Sequence, residues 1–523
     1  DASAKGRTET SGEIAMLTKA YAAAVLGIGA EPVEIEVNAV PSAEPRTRVV
    51  GLPDVAVKES VDRVATALKN ALFRPKSASV TINLAPADLK KEGPVYDLPI
   101  ALAWLAASGT VALPLLERIP VLGELALSGD VRRVRGILPV TLALRARGFK
   151  ALMVPADNAD EAALVDGIDI FPVKTLREAV EILSGKTVGL PHVVNRGALL
   201  GDTDAVEDFA DIKGQQAARR ALEVAVSGGH NLLMVGSPGS GKTMLARRIP
   251  SILPPLTLEE ALEATAIHSV AGTLKGFFVN RRPFRAPHHT ISDAGLIGGG
   301  VHPSPGEVAL AHRGVLFLDE LPEFHRNVLE VLRQPLEDGA VTIARTSGTL
   351  TFPSDFMLVA AMNPCPCGFS GDPKRECRCT EQAIRRYRAK ISGPLLDRID
   401  IHIDVPAVPY EALAQRGVAE SSAAIRARVL RVRAVQAERY RALPNVLCNA
   451  DLPAGKIQQF CALAPEAEAT LKMAMDELNF TARAYTRILR VARTIADMEG
   501  SETIAQQHLF EAIQYRSLDR TLW

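Results

Sequence analysis

Residues Gly236-Ser237-Pro238-Gly239-Ser240-Gly241-Lys242-Thr243 constrain this chain more than any other stretch. An apolar run, Asn231-Leu232-Leu233-Met234-Val235, leads in, and Met244-Leu245-Ala246 leads out. The order is strand, glycine-rich loop, helix, and it fits the phosphate-binding P-loop without a mismatch. The glycines let the backbone curl so that successive N–H groups face phosphate oxygens, and the helix N-terminus adds a favourable dipole. Lys242 is placed to reach the β- and γ-phosphates of a nucleoside triphosphate and Thr243 to put its hydroxyl on Mg²⁺.

Further motifs lie downstream at domain-scale spacing. Val315-Leu316-Phe317-Leu318 is a buried-strand run ending in Asp319 and Glu320, the form of a Walker B motif. Asp319 would hold the magnesium shell and Glu320 would polarise the attacking water. Phe356–Met362 reads as another core strand and ends at Asn363, where a sensor 1 residue helps position that water. Upstream, Asp211-Ile212-Lys213-Gly214-Gln215 has the look of an adenine-packing segment, with Ile212 and Gln215 as its contacts. Together these pieces resemble the AAA+ ATPases, which implies ATP and Mg²⁺ as cofactors.

That resemblance gives two arginines roles. Arg398, in Leu395-Leu396-Asp397-Arg398-Ile399-Asp400, stands where the family places an arginine finger that reaches a neighbouring subunit's site. Arg483, in Thr481-Ala482-Arg483-Ala484, is similar to sensor 2. Local Arg–carboxylate pairing beside Asp397 and Asp400 is the alternative. A finger acting in trans implies a ring, and a hexamer is the family's usual size.

The core carries two insertions. Arg285-Ala286-Pro287-His288-His289-Thr290 through Gly298-Gly299-Gly300 is rich in glycine and polar groups. The adjacent histidines lack a third ligand at metal spacing, so a loop projecting into a ring pore is favoured. Ala340–Phe352 reads as a hairpin with its turn at Ser347-Gly348 and Arg345 near the tip. Insertions at these two places resemble those of the AAA+ clade of magnesium chelatases and MCM helicases. In ring helicases such loops track a nucleic-acid backbone, so the resemblance implies Arg345, His288 and His289 as the candidates for DNA contact; a salt bridge within the hairpin is the alternative for Arg345.

Residues 16–190 read as mixed α and β. Val33–Val37 and Ser79–Asn83 alternate with strand period, whereas Val57, Val61, Val64, Leu68 and Leu72 recur with helical period. Lys91–Asp97 leads into a helix running through Trp104, and Leu122–Ile137 looks like a hairpin. The order resembles the proteolytic domain of Lon-type proteases, a ribosomal S5 domain 2-like α+β fold. Val95 stands where Lon has its nucleophilic serine and Leu138 where the lysine base would be. A Ser–Lys dyad needs both groups, so this domain is expected to bind or to join subunits, and not to cleave peptides.

The expected architecture is therefore an α/β multidomain chain. A leader (1–15) precedes the inactive Lon-like domain (16–190) and a linker (191–207). An AAA+ P-loop α/β core (208–408) and a C-terminal helical lid (409–523) follow, with helices expected at Ser421–Ala442, Pro453–Asn479, Ala482–Glu499 and Ser501–Leu518. Six arginines between Arg426 and Arg441 crowd the first of these, read as a solvated face, with a DNA- or neighbour-facing surface as the alternative.

This combination, with the strings Arg285-Ala-Pro-His-His-Thr and Asn363-Pro-Cys-Pro-Cys-Gly, resembles the YifB/ComM family of magnesium chelatase-like ATPases over nearly the whole chain. The resemblance implies a hexameric, ATP-driven motor on branched or single-stranded DNA that promotes branch migration in natural transformation. A porphyrin-metallating motor subunit and a protein-remodelling chaperone are the rival readings. Four of six cysteines cluster as Cys365-Pro-Cys367 and Cys377-Arg-Cys379. A structural Zn²⁺ is the preferred reading and reduced thiols without metal the rival. Composition excludes little: 60 basic residues balance 60 acidic ones, so any nucleic-acid surface must be local. The absence of a long apolar span or a secretory signal pattern makes a cytoplasmic, membrane-free protein the expectation.

Overall fold

The computed structural model describes residues 16–195, 197, 199, 207–300, 304–345, 348–409, 419–443, 446–478, 480–516 and 518. The leader at 1–15, part of the linker at 191–207 and the Ser347 position of the hairpin turn lie outside them. The chain forms two compact units. The first takes residues up to Leu199 together with Thr265–Phe278, and the second takes the remainder.

The first unit is built on a four-stranded sheet in the order Met16–Leu26, Gly29–Pro41, Ala78–Ala85, Thr47–Val50. The first three pair antiparallel and the short last strand is parallel. Val33, Ile35 and Val37 are buried on one face while Glu34 and Glu36 between them stay partly exposed, the alternation that a half-covered sheet requires. The helix Asp97–Ala107 is buried almost all round, because its sequence carries no polar stripe beyond Asp97. That carboxylate is buried yet satisfied by Ser60 and by Arg63, whose Nε donates at 2.9 Å. The helix Val55–Asn70 starts at Asp54, whose side chain accepts from Val57 N at 2.7 Å. It ends two residues before Leu72, which is expected on its buried stripe. Leu72 instead takes a left-handed φ of 64° and is 75% exposed.

Glu124–Leu125 and Val131–Arg132 pair antiparallel, so the expected hairpin forms with short arms. Val95 sits in a 3₁₀ turn, Pro94–Tyr96, and Leu138 in the first turn of the helix Ile137–Ala146. The segment Thr265–Phe278 is anchored within this unit by Ser269, whose buried hydroxyl accepts from Gly136 N at 3.0 Å and donates to Glu161.

The second unit holds a five-stranded, all-parallel sheet in the order Phe284–Arg285, Val315–Leu318, Met357–Met362, Leu232–Val235, Ile401–Asp404. Leu232–Val235, Val315–Leu318 and Met357–Met362 are buried at every position, as strands covered on both faces must be. The strand that feeds the glycine loop is flanked by the strands ending at Met362 and Asp404. Its carboxyl end is therefore the crevice in which open α/β sheets bind ligands.

Helices follow at Ser422–Arg439, Pro465–Leu478, Ala482–Met498 and Gln506–Gln514. The helix expected over Pro453–Asn479 is broken: a 3₁₀ turn, Ala454–Lys456, and a short helix, Ile457–Phe460, precede a fresh start at Pro465. Proline disfavours the helical conformation in the residue before it and suits the first helical turn. The arginine-rich helix is not a simple solvated face either. Arg428 is paired with Glu223 and Glu420, Arg433 donates to Val226 O at 3.1 Å, and Arg439 is bidentate on Asp497. Arg431 and Arg441 remain exposed.

Candidate nucleotide site

The glycine loop bends as its sequence demands. Gly239 and Gly241 take φ of 78° and 93°, a region that side chains rarely enter. Gly236 is required for a different reason: a Cβ there would collide with the carbonyl oxygen of Val405. The helix Lys242–Ile252 then begins at the loop's end, directing its free N–H groups into the crevice.

Lys242 is nearly buried, and its Nζ donates to Gly236 O at 2.6 Å, Ser237 O at 3.1 Å and Asn363 Oδ1 at 3.2 Å. Burial lowers its pKa below the usual lysine value, and Asp319, Asp404 and Glu320 oppose that shift. The Thr243 hydroxyl donates to Asp319 Oδ2 at 2.7 Å. A hydroxyl beside a carboxylate is the hard oxygen set that Mg²⁺ takes in phosphate sites, so the residues present fit Mg·ATP. Gln215, held at φ 54°, donates to Ser240 O at 3.1 Å and Pro406 O at 2.6 Å. Neighbouring Ile212 is fully buried. Five elements far apart in sequence thus meet at one sheet end.

Glu320 follows the Walker B strand with φ 53°, and its side chain is half exposed, 3.3 Å from His289 Nδ1. His289 also lies edge-on to Phe324 and 4.1 Å, centroid to centroid, from the His288 ring. The histidine pair, read in sequence as a pore element, therefore has one ring at the carboxylate expected to polarise water. Nothing local in the sequence links residues 289 and 320; the parallel pairing of Phe284–Arg285 with Val315–Leu316 brings them together.

Arg398 is not at this chain's own glycine loop. It is buried, donates to Pro394 O and pairs with Glu337, beside a cavity of about 530 Å³ that Glu330, Arg333 and Val341 also line. Burial lowers the Arg398 pKa. Glu337 opposes that shift, and the nearby positive charges of Arg333 and Arg483 add to it. The two arginines singled out in sequence thus share one positive neighbourhood, and Arg333 and Glu337 are the members that sequence reading missed. Arg345 closes the strand Ala340–Arg345, paired with Gly348.

The four clustered cysteines converge: their sulfurs all lie within 4.8 Å of one another, with Cys365–Cys367 at 3.4 Å, Cys367–Cys377 at 3.6 Å and Cys365–Cys377 at 3.7 Å. A tetrahedral Zn²⁺ with Zn–S bonds near 2.3 Å needs S···S edges of about 3.8 Å. The donor set fits that ion.

A parallel sheet in this order, with a P-loop after its fourth strand and an acidic pair on the strand two places away, defines the core of an AAA+ nucleoside triphosphatase. Comparison with known proteins narrows the class. Residues 208–413 match the family described as magnesium chelatase, subunit ChlI; residues 33–158 match the subunit ChlI of Mg-chelatase, and 419–516 its C-terminal part. The chain is 44% identical over 508 residues to the competence protein ComM of Haemophilus influenzae, covering 96% of this chain and 98% of that one. It is 43% identical over 515 residues to YifB of Escherichia coli, covering 97% and 98%. A shorter stretch of 126 residues is 31% identical to Lon protease 2 of Bacillus subtilis, 24% of this chain and 22% of the protease. The chain belongs to the YifB/ComM family of magnesium chelatase-like AAA+ ATPases. Among the described residues no helix is long and apolar enough to cross a membrane.

Proposed function

We propose that this chain is a ring-forming motor that couples Mg·ATP hydrolysis to movement on DNA, acting by branch migration on recombination intermediates in natural transformation. The carrying observation is the convergence of Lys242, Asn363, Thr243 and Asp319 at one sheet end, in a chain that matches a competence protein over almost its full length. Competence is the capacity to take up DNA, which makes DNA the substrate of choice. In this reading Lys242 neutralises the β- and γ-phosphates, Thr243 and Asp319 hold Mg²⁺, and Glu320 takes the proton of the attacking water while Asn363 orients it. Ile212 and Gln215 pack at the base. Arg345, His288 and His289 are the candidate DNA contacts, the work is done in the cytoplasm, and the four thiolates carry a structural Zn²⁺.

Arg398 acts in trans, with Arg483 beside it, on the site of the next subunit in a homo-hexamer. Arg398→Ala chains are expected to bind ATP but to hydrolyse it about 10³-fold more slowly. Mixing them with Glu320→Gln chains should recover partial turnover, since a ring then pairs an intact site with an intact arginine. Full hydrolysis by Arg398→Ala alone would show that the arginine only holds its loop through Glu337.

The direct test is ATP-dependent strand displacement on a labelled four-way junction, comparing the protein with Glu320→Gln. Displacement by the former and not by the latter is the expected result. The matches to chelatase subunits favour one second reading, a motor that drives Mg²⁺ into a porphyrin. ATP turnover stimulated by a porphyrin-insertion partner, with no displacement on the junction, would select it.

A further inference from the structure

The cysteine loop begins where the sensor strand ends: Asn363, which contacts Lys242, is two residues before Cys365. From there the chain runs out and returns at Cys377 and Cys379, just ahead of the helix Glu381–Arg388. No residue of Gly371–Thr380 is buried, so no apolar core holds this excursion in place. Its internal contacts are light: Arg375 lies over the Phe369 ring at 5.0 Å, and Asp372 Oδ1 accepts from Lys374 N at 2.8 Å and Arg375 N at 3.1 Å.

The excursion nevertheless rests on the phosphate-binding loop at two points. Asp372 Oδ2 accepts from the Ser237 hydroxyl at 2.7 Å. Gly368, at φ 84°, lies so close to Pro238 that a Cβ would come within 2.5 Å of that ring. Ser237 and Pro238 are the second and third residues of the glycine loop, and Lys242 in turn donates to Ser237 O. A segment without a core loses its shape unless something crosslinks it, and closing its base removes the entropy that would otherwise oppose those contacts. The four sulfurs stand at that base. A thiolate-bound metal there supplies ordering free energy directly to the segment it closes.

We propose that the Cys365/Cys367/Cys377/Cys379 site binds one Zn²⁺ whose role is to brace the phosphate-binding loop through Asp372 and Gly368, so that nucleotide affinity depends on the metal. The inference rests on the structural zinc given above and adds its consequence at the ATP site. Asp372 is a positioning residue: it acts through Ser237.

The test uses the full chain. Zinc content is measured by elemental analysis, the metal is stripped with a chelator, and the protein is returned to Mg²⁺ buffer. Affinity for a fluorescent ATP analogue is then read with and without added Zn²⁺. The expected results are about one zinc per chain, affinity at least roughly tenfold weaker after stripping, and recovery on adding Zn²⁺. Asp372→Ala is expected to keep its zinc and raise KM for ATP about tenfold with kcat little changed. Asp372→Asn, which retains an oxygen acceptor for Ser237, should restore most of the affinity. Zinc present but affinity indifferent to its removal would overturn the brace and leave the structural zinc standing. A chain that neither carries zinc nor binds added Zn²⁺ would overturn the zinc reading itself. Asp372→Ala with full zinc and unchanged KM would also sink the brace.

Discussion

Lys242→Ala is expected to abolish ATP turnover, by at least ~100-fold, and to weaken nucleotide binding at the same time. The ammonium is held among Gly236 O, Ser237 O and Asn363 Oδ1, aimed along the loop that cradles the phosphates. Removing it takes away a positive charge in a site where burial strengthens electrostatics, and single charge-stabilising groups in such sites carry factors of about 10²–10³. Glu320→Gln should separate the two effects. It removes the proposed base but not the proposed phosphate contacts, so it should bind ATP and fail to turn it over by a comparable factor. Equilibrium binding of a nucleotide analogue and steady-state phosphate release distinguish the two variants. Normal turnover by either would remove this site from the chemistry.

The second large effect is structural. Asp497, nearly buried in the helix Ala482–Met498, gathers Arg439 through both nitrogens at 2.5 and 2.8 Å. It also accepts from Arg493 Nε at 3.0 Å and from Asn449 Nδ2 at 2.9 Å. Arg493 is itself 1% exposed and donates to Glu502 O at 2.7 Å. Asp497→Ala leaves two guanidinium groups without their counter-charge, and breaking one side of a buried pair costs about 3–5 kcal/mol. Hydrogen exchange should show lost protection across the helices 482–498 and 422–439, with a lower urea midpoint. Asp497→Asn, which keeps the shape but not the charge, should fall between. Unchanged protection in the alanine variant would mean that the network is solvated and contributes little.

Much of the candidate nucleotide site was legible because its parts are contiguous strings with a local physical cause. A loop that must turn through left-handed φ needs glycines within a few residues, and a strand buried on both faces needs an unbroken apolar run. Gly236–Thr243, Val315–Glu320 and Phe356–Asn363 each carry that signal in themselves. The cysteine pairs were visible as well, since thiols at Cys-x-Cys spacing have few other reasons to cluster. The arginine-rich helix misled for the opposite reason. Its charges are paired by Glu223 and Asp497, over 200 residues upstream and about 60 downstream, and composition within one helix says nothing of partners so remote.

By itself, then, the sequence determined which backbone segments could hold phosphate, which strands would form the core and which side chains could bind Mg²⁺ or a soft metal ion. Those properties depend on residues within one turn or one strand. Tertiary structure alone decided that His289 lies beside Glu320, that Arg398 meets Glu337 and Arg333, and that Asp372 rests on Ser237. It alone decided that Thr265–Phe278 belongs with the first unit. Each depends on strand order and on loops returning across the sheet. Such pairings are selected by packing of the whole chain, and neither partner's neighbouring sequence records them.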